Sequence, residues 1–147
     1  MTTADVAELN HLAYQYALAV DTCDVDLFLD VFHPDARLRV YHPDAAEPFG
    51  DSVGHDGLAN IPRSMGQQFL KTAHLFTNHL VEIDGDTASG SLLCTARHLR
   101  HTEPDVAMVI VIRYIDEYAR RDGKWRILDR QIRFLWTERN TVGESGF

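Results

Sequence analysis

TAHLFTNHLVEIDGDTASGSLLCTARH, residues 72–98, decides the fold. Leu75, Phe76, Leu80, Val81 and Ile83 are strand formers interleaved with polar residues, and a period of two resumes after Gly90. Between the two runs, IDGDTA at 83–88 carries the Asp-Gly signal of a tight hairpin turn. RRDGKW at 120–125 repeats that signal, so 72–83, 86–101, 105–121 and 124–138 read as four long strands.

The first half of the chain has a different period. Residues 5–20 put Val6, Leu9, Ala13, Tyr16, Ala17 and Val20 at helical spacing, with Thr2 or Thr3 as the cap. Asp24 reads as the N-cap of a short second helix that turns Leu27, Phe28, Val31 and Phe32 inward. Pro34 ends it, because proline disfavours helix in the residue before it, and 37–42 follows as a short strand. Residues 43–54 are a polar loop, and 55–70 a third helix interrupted near Pro62. The tail, 140–147, is polar and expected to be loose. Three N-terminal helices on a curved, mostly antiparallel sheet make one α+β domain over 1–147. If the sheet wraps the first helix, it forms a cone-shaped barrel whose open end encloses an apolar cavity for a small molecule.

Charge and composition exclude several classes. A net charge of −8 and a pI near 5.3 argue against nucleic acid or an anionic membrane as partner. The longest apolar run, 107–112, is far short of the roughly 18 residues a membrane span needs. The acidic, polar N-terminus lacks signal-peptide features, and Cys23 and Cys94 follow no metal-ligand or disulfide spacing, so a cytoplasmic protein with reduced thiols is expected.

Strand parity selects candidates for chemistry. On 86–101 the even positions, Ala88 to His98, form a small apolar face; on the preceding strand the same logic groups Thr72, His74, Phe76, Asn78 and Leu80, with His79 on the other side. His74 is either a core histidine with a partner or a proton-handling group facing a cavity, and His98 enters beside it. Eight histidines raise the question of a metal, but no HxH or HExxH spacing supports one. A neutral imidazole is a competent base near pH 7 once a carboxylate fixes its tautomer. Asp21, closing an apolar helix with no Lys or Arg within ten residues, is that candidate. Spacing alone leaves open whether Asp21 and His74 are simply cap and core partner. Tyr16 would donate to a substrate oxygen and Arg133 would stabilise an oxyanion. Phe76, Asn78, Tyr41 and Trp136 complete the expected substrate lining. On the last strand, Trp125, Ile127, Arg133 and Leu135 share one face while Leu128, Ile132, Phe134 and Trp136 share the other, and both look apolar. A sheet covered on both sides, one by a partner subunit, would explain that.

AELNHLAYQYALAVDTCDVDLFLDVFHPDARL, the 72–98 stretch and YARRDGKWRILDRQIRF resemble the SnoaL-like branch of the nuclear transport factor 2-like superfamily, over roughly residues 5–138. The last hairpin speaks for fold. Asp21 in A-x-D-x-x-D with His74 in T-x-H-x-x-x-N is similar to the Asp–His dyad of scytalone dehydratase, hexachlorocyclohexane dehydrochlorinase and bile acid 7α-dehydratase. Those enzymes remove a proton and a leaving group from a cyclic substrate without a cofactor. His98 matches the second histidine of scytalone dehydratase, while Tyr16 and Arg133 match the tyrosine and arginine of the bile acid enzyme. Scytalone dehydratase has a tyrosine directly before its aspartate, where this chain has Val20. The resemblance implies a dehydratase-type lyase with no cofactor, acting on a small cyclic or polyketide-like molecule. It leaves as rivals a double-bond isomerase, a polyketide cyclase, a ligand-binding module, or a non-catalytic small subunit of a ring-hydroxylating dioxygenase. A homo-oligomer, dimer or trimer, is expected, a dimer through the outer sheet face being the first choice.

Overall fold

The structure is a computed structural model that describes residues 2–143; residues 144–147, the end of the tail expected to be loose, lie outside them. Thr2 opens α1 (Thr3–Thr22) with a capping box: its hydroxyl oxygen accepts from the Asp5 N–H at 3.1 Å while the Asp5 carboxylate takes the Thr2 N–H. The helix buries Leu9, Ala13, Tyr16 and Val20, the stripe its spacing predicts, and adds Leu12 and Ala19. Full burial of a leucine-sized side chain contributes about 1.5–3 kcal/mol, so this stripe holds α1 to the sheet. Asp24 accepts from the Leu27 N–H at 2.9 Å and caps α2 (Val25–Asp30). The third helix comes as α3 (Gly54–Leu58) and α4 (Asn60–Gln68). Its break falls at Ala59, and Pro62 lies in the first turn of α4, where its missing N–H has no helical partner to lose.

Six strands form one sheet in the order β2-β1-β6-β5-β4-β3: β1 (Phe32–Tyr41), β2 (Gly50–Val53), β3 (Phe69–Asp84), β4 (Thr87–Arg100), β5 (Glu103–Arg121) and β6 (Lys124–Thr141). The sheet is mixed, β1 running parallel to β6 and the other neighbours antiparallel, and it is not closed. β2 is a short edge strand inside the segment expected to be loop. β1 starts earlier than expected, at Phe32, and leaves its ladder between Phe32 and Arg37, where Pro34 has no N–H to offer. At the β5–β6 hairpin Asp122 and Gly123 have φ of 52° and 75°, the two left-handed residues that a type I′ turn requires. Among the described residues no helix is long and apolar enough to cross a membrane.

Bulges decide which side chains face the helices. One extra residue sits in β3 between Thr77 and Leu80, with Asn78 at φ 53°, and a one-residue insertion exchanges the two faces of a strand. Thr72, His74 and Phe76 face inward before it; His79, Val81 and Ile83 do so after it, and Leu80 is turned out at 77% exposure. The expected grouping of Asn78 and Leu80 with His74 is thereby corrected. So is the outward assignment of His79, which lies 2.7 Å from Asn10 Oδ1 on α1 and 3.2 Å from the Tyr118 hydroxyl. β6 carries two further bulges, at Leu128 and Leu135, so Trp125, Ile127, Arg130, Ile132 and Phe134 all face inward while Arg133 and Trp136 face out. The mixed parity of that strand comes from these bulges and needs no second covering layer.

Candidate active site

Asp21 lies in the last turn of α1, which Cys23 closes in a left-handed conformation at φ 55°. A carboxylate there faces the negative end of the helix dipole, with no basic residue in that turn to offset it. Three donors from β3 hold it instead: the Thr72 hydroxyl at 2.7 Å, the His74 backbone N–H at 3.0 Å and His74 Nδ1–H at 2.7 Å. Burial pushes the Asp21 carboxyl up, but the hydrogen bonds from the His74 ring, the His74 backbone and Thr72 outweigh it and hold the group below its ordinary value. An ionised carboxylate only accepts, so Nδ1 of His74 carries a proton, and in the neutral tautomer this selects Nε2 holds the lone pair. The His74 side chain is only 5% exposed and its ring forms part of a cavity wall.

That cavity measures about 250 Å³ and lies between α1, α4 and the concave face of the sheet, walled largely by Leu38, Val40, Ile110, Ile112, Ile132 and Phe134. Its polar side chains are few: Tyr16, His74, His98, Tyr114 and Ser52. His98 stacks on Phe69 with ring centroids 4.6 Å apart and lies 5.3 Å from the His74 ring. Among the described residues neither of its ring nitrogens has a hydrogen-bond partner. Burial, then the neighbouring His74, pushes the His98 pKa down to about 4, so its ring is neutral at pH 7. Tyr16 and Tyr114 meet edge-on at 5.9 Å, and burial raises both phenols.

The structure thus brings Asp21, His74, His98 and Tyr16 together and leaves the other candidates elsewhere. Arg133 projects from the outer face, where its guanidinium lies 4.0 Å from the Tyr41 ring centre and donates to Gln131. Tyr41 is buried beneath it on that same face, and Trp136 is half exposed there, its indole N–H on Glu138. Phe76 packs edge-on against Tyr16 and Tyr114 behind the wall, and with Asn78 it borders a separate recess beside α1. Among the described residues no group of three or more His, Cys, Asp or Glu side chains converges as a metal site would need.

Sequence reasoning passed over Tyr114, Asp116 and Arg130. Arg130 and Asp116 are wholly buried and joined by two hydrogen bonds of 2.8 and 2.7 Å. A signal existed: in RYIDEY, Tyr114, Asp116 and Tyr118 alternate with Arg113, Ile115 and Glu117, which puts a carboxylate between two aromatic residues on one face. Arg130 has the parity of Ile132 and Phe134, which face inward, but the bulges at Leu128 and Leu135 mix the two faces of the strand and hide which set is the inward one.

A model of the SnoaL-like domain matches residues 1–131. An uncharacterised protein of Mycobacterium tuberculosis is 29% identical over 131 residues, covering 86% of this chain and 83% of its own. A protein of Novosphingobium aromaticivorans assigned as an aromatic ring hydroxylase superposes with a TM-score of 0.82 at 27% identity, over 95% of this chain and 96% of its own. The type 2 hexachlorocyclohexane dehydrochlorinase superposes with a TM-score of 0.85 at 19% identity, covering 98% and 96% of the two chains. A protein of Novosphingobium aromaticivorans DSM 12444 assigned as a scytalone dehydratase does so with a TM-score of 0.80 at 18% identity, covering 98% and 95%. The last two likenesses are likenesses of fold.

Proposed function

The chain belongs to the SnoaL-like domain family of the nuclear transport factor 2-like superfamily, and on that footing we propose that it is a cofactor-independent lyase of the dehydratase type. One observation carries the reading: the 2.7 Å contact between Asp21 and His74, with the other edge of the imidazole in the wall of an apolar cavity. Nε2 of His74 takes a proton from a carbon next to a carbonyl, and Asp21 stabilises the imidazolium that forms. The Tyr16 hydroxyl donates to the oxygen on which enolate charge develops. The electron pair then expels a hydroxyl one carbon further on, which leaves as water with the proton held by His74. Neutral His98 donates its N–H to the departing oxygen. All polar side chains of the cavity wall other than the dyad are uncharged near pH 7, and the volume of about 250 Å³ suits a small, uncharged, cyclic or polyketide-like ketone.

The test is a panel of small cyclic β-hydroxyketones incubated in D₂O, followed by NMR for deuterium at the α-carbon and by mass for loss of water. The parent protein is expected to do both, and His74→Ala and Asp21→Asn to lose at least about a hundredfold in rate. Retention of more than about a tenth of the rate in either variant rules out the dyad. Exchange with a shifted double bond and no water loss would identify an isomerase instead.

The likeness to the protein assigned as an aromatic ring hydroxylase favours a second reading, a supporting subunit of a ring-hydroxylating assembly. Such a subunit has no need of a carboxylate–imidazole pair inside its cavity, so Asp21 with His74 weighs toward catalysis. Leu75, Leu80, Ile115 and Trp136, exposed on the outer face, support a homo-oligomer formed through that face.

A further inference from the structure

Arg130 is wholly buried and takes no part in the cavity wall. Its Nε and Nη2 donate to the two oxygens of Asp116, and the Tyr118 hydroxyl donates to Asp116 Oδ2 at 2.7 Å. Among the described residues its Nη1 has no hydrogen-bond partner. What the guanidinium meets on its remaining side is aromatic: its central carbon lies 4.3 Å from the Tyr16 ring centre and 4.8 Å from that of Tyr114. The π faces of those rings are what that charge and its unpaired N–H can use. Both rings belong to the cavity wall.

Stability alone does not call for this arrangement, because a buried ion pair is often matched or surpassed by apolar side chains of the same volume. A cation against a phenol ring, by contrast, favours negative charge on the phenol oxygen and so strengthens the O–H as a donor. The charged and titratable groups around the guanidinium are Asp116, Tyr16, Tyr114 and Tyr118, with Cys94 and His79 beyond them. Of these Asp116 is the carboxylate, and its hydrogen bonds go to Arg130 and Tyr118, not to the two phenols of the cavity.

We infer that Arg130 is a positioning residue: fixed by Asp116 against the rings of Tyr16 and Tyr114, it makes their hydroxyls stronger donors to an oxyanion formed in the cavity. Burial raises both phenols and the guanidinium works against that rise. The inference rests on the proposed role of Tyr16, but it is tested without substrate.

The experiment installs 3,5-difluorotyrosine at position 16 of the full chain and follows its ionisation by ¹⁹F NMR against pH. The paired replacement Arg130→Met with Asp116→Leu removes cation and counter-charge together. The ionisation midpoint should then rise by about one pH unit or more, a tenfold loss of acidity. Asp116→Asn keeps the cation and removes its counter-charge, so there the midpoint should fall. Circular dichroism and thermal melting establish that each variant is folded. Because the two shifts have opposite signs, one folded variant is enough to decide. A pair whose two charges offset each other at the phenol predicts no shift, and an unmoved midpoint in a folded variant overturns the inference. A shift of the expected sign in a protein that never exchanges or dehydrates the ketone panel would instead remove the lyase reading, and with it the oxyanion, while leaving the hold of Arg130 on the acidity of the two phenols.

Discussion

His98→Phe is expected to change how stability depends on pH, by an amount that follows from the burial of His98. The imidazole stacks on Phe69 with both nitrogens unpartnered, so a phenyl ring in its place loses no hydrogen bond. In the parent the folded pKa is about 4, against about 6.5 for an unfolded histidine. Above pH 6.5 neither state binds the proton, and protonation contributes nothing to the difference. Between pH 6.5 and 4 the unfolded chain binds it and the folded chain does not, so stability falls as the pH falls and levels off below 4. Applied to one group at pH 4.5, this linkage amounts to about 2–3 kcal/mol. The assay is urea unfolding followed by circular dichroism, for parent and His98→Phe, at pH 7.5 and 4.5. The variant should equal or exceed the parent at pH 7.5, since it also removes two unsatisfied buried nitrogens. Its advantage should widen by about 2–3 kcal/mol at pH 4.5. Equal slopes of stability against pH for the two proteins would refute the claim that His98 is held neutral by burial.

Arg130→Ala or Asp116→Ala alone should cost about 3–5 kcal/mol in urea unfolding, because each strands a buried charge, whereas the Met/Leu pair should cost clearly less; equal losses would mean the pair is not coupled. Asp21 is held below its ordinary value, so its contribution is present above the ordinary carboxylate pKa and lost as pH falls through the folded one; Asp21→Asn should flatten that acid limb, and an unchanged limb would count against the three donors. Arg133→Gln should leave turnover and the cavity unaltered, given its place on the outer face; a large loss of turnover would show that the residue reaches the substrate after all. Leu75→Glu with Trp136→Glu should convert an oligomer to monomers in sedimentation velocity, and an unchanged sedimentation coefficient would exclude the outer face as the interface.

How much was legible in the chain depended on whether a feature was local. Capping by Thr2 and Asp24, the stripe of α1 and the two Asp-Gly hairpins are set by residues within a few positions of each other, and all of them appear in the structure. His74, His98 and Tyr16 were found by parity and helical spacing, both reliable over short runs. Parity failed at the bulges in β3 and β6, which insert single residues and exchange the faces beyond them. That is why His79 faces in, why Arg133 and Trp136 face out, and why Arg130 went unnoticed. β2 was missed for another reason: as a short edge strand it pairs with β1 alone, and little in its own four residues marks it as a strand.

The α+β class, the four long strands and the choice of Asp21 and His74 as candidate partners can all be read from the residues alone. Periodicity and turn chemistry are carried by the residues themselves and survive in any context. That Asp21 meets His74 is a matter of folding, because 53 positions separate them and the contact exists only when the end of α1 is seated against β3. Folding likewise decides that a buried arginine, not the outward one, lies against the tyrosines of the cavity, since a bulge between Ile127 and Asp129 turns Arg130 inward.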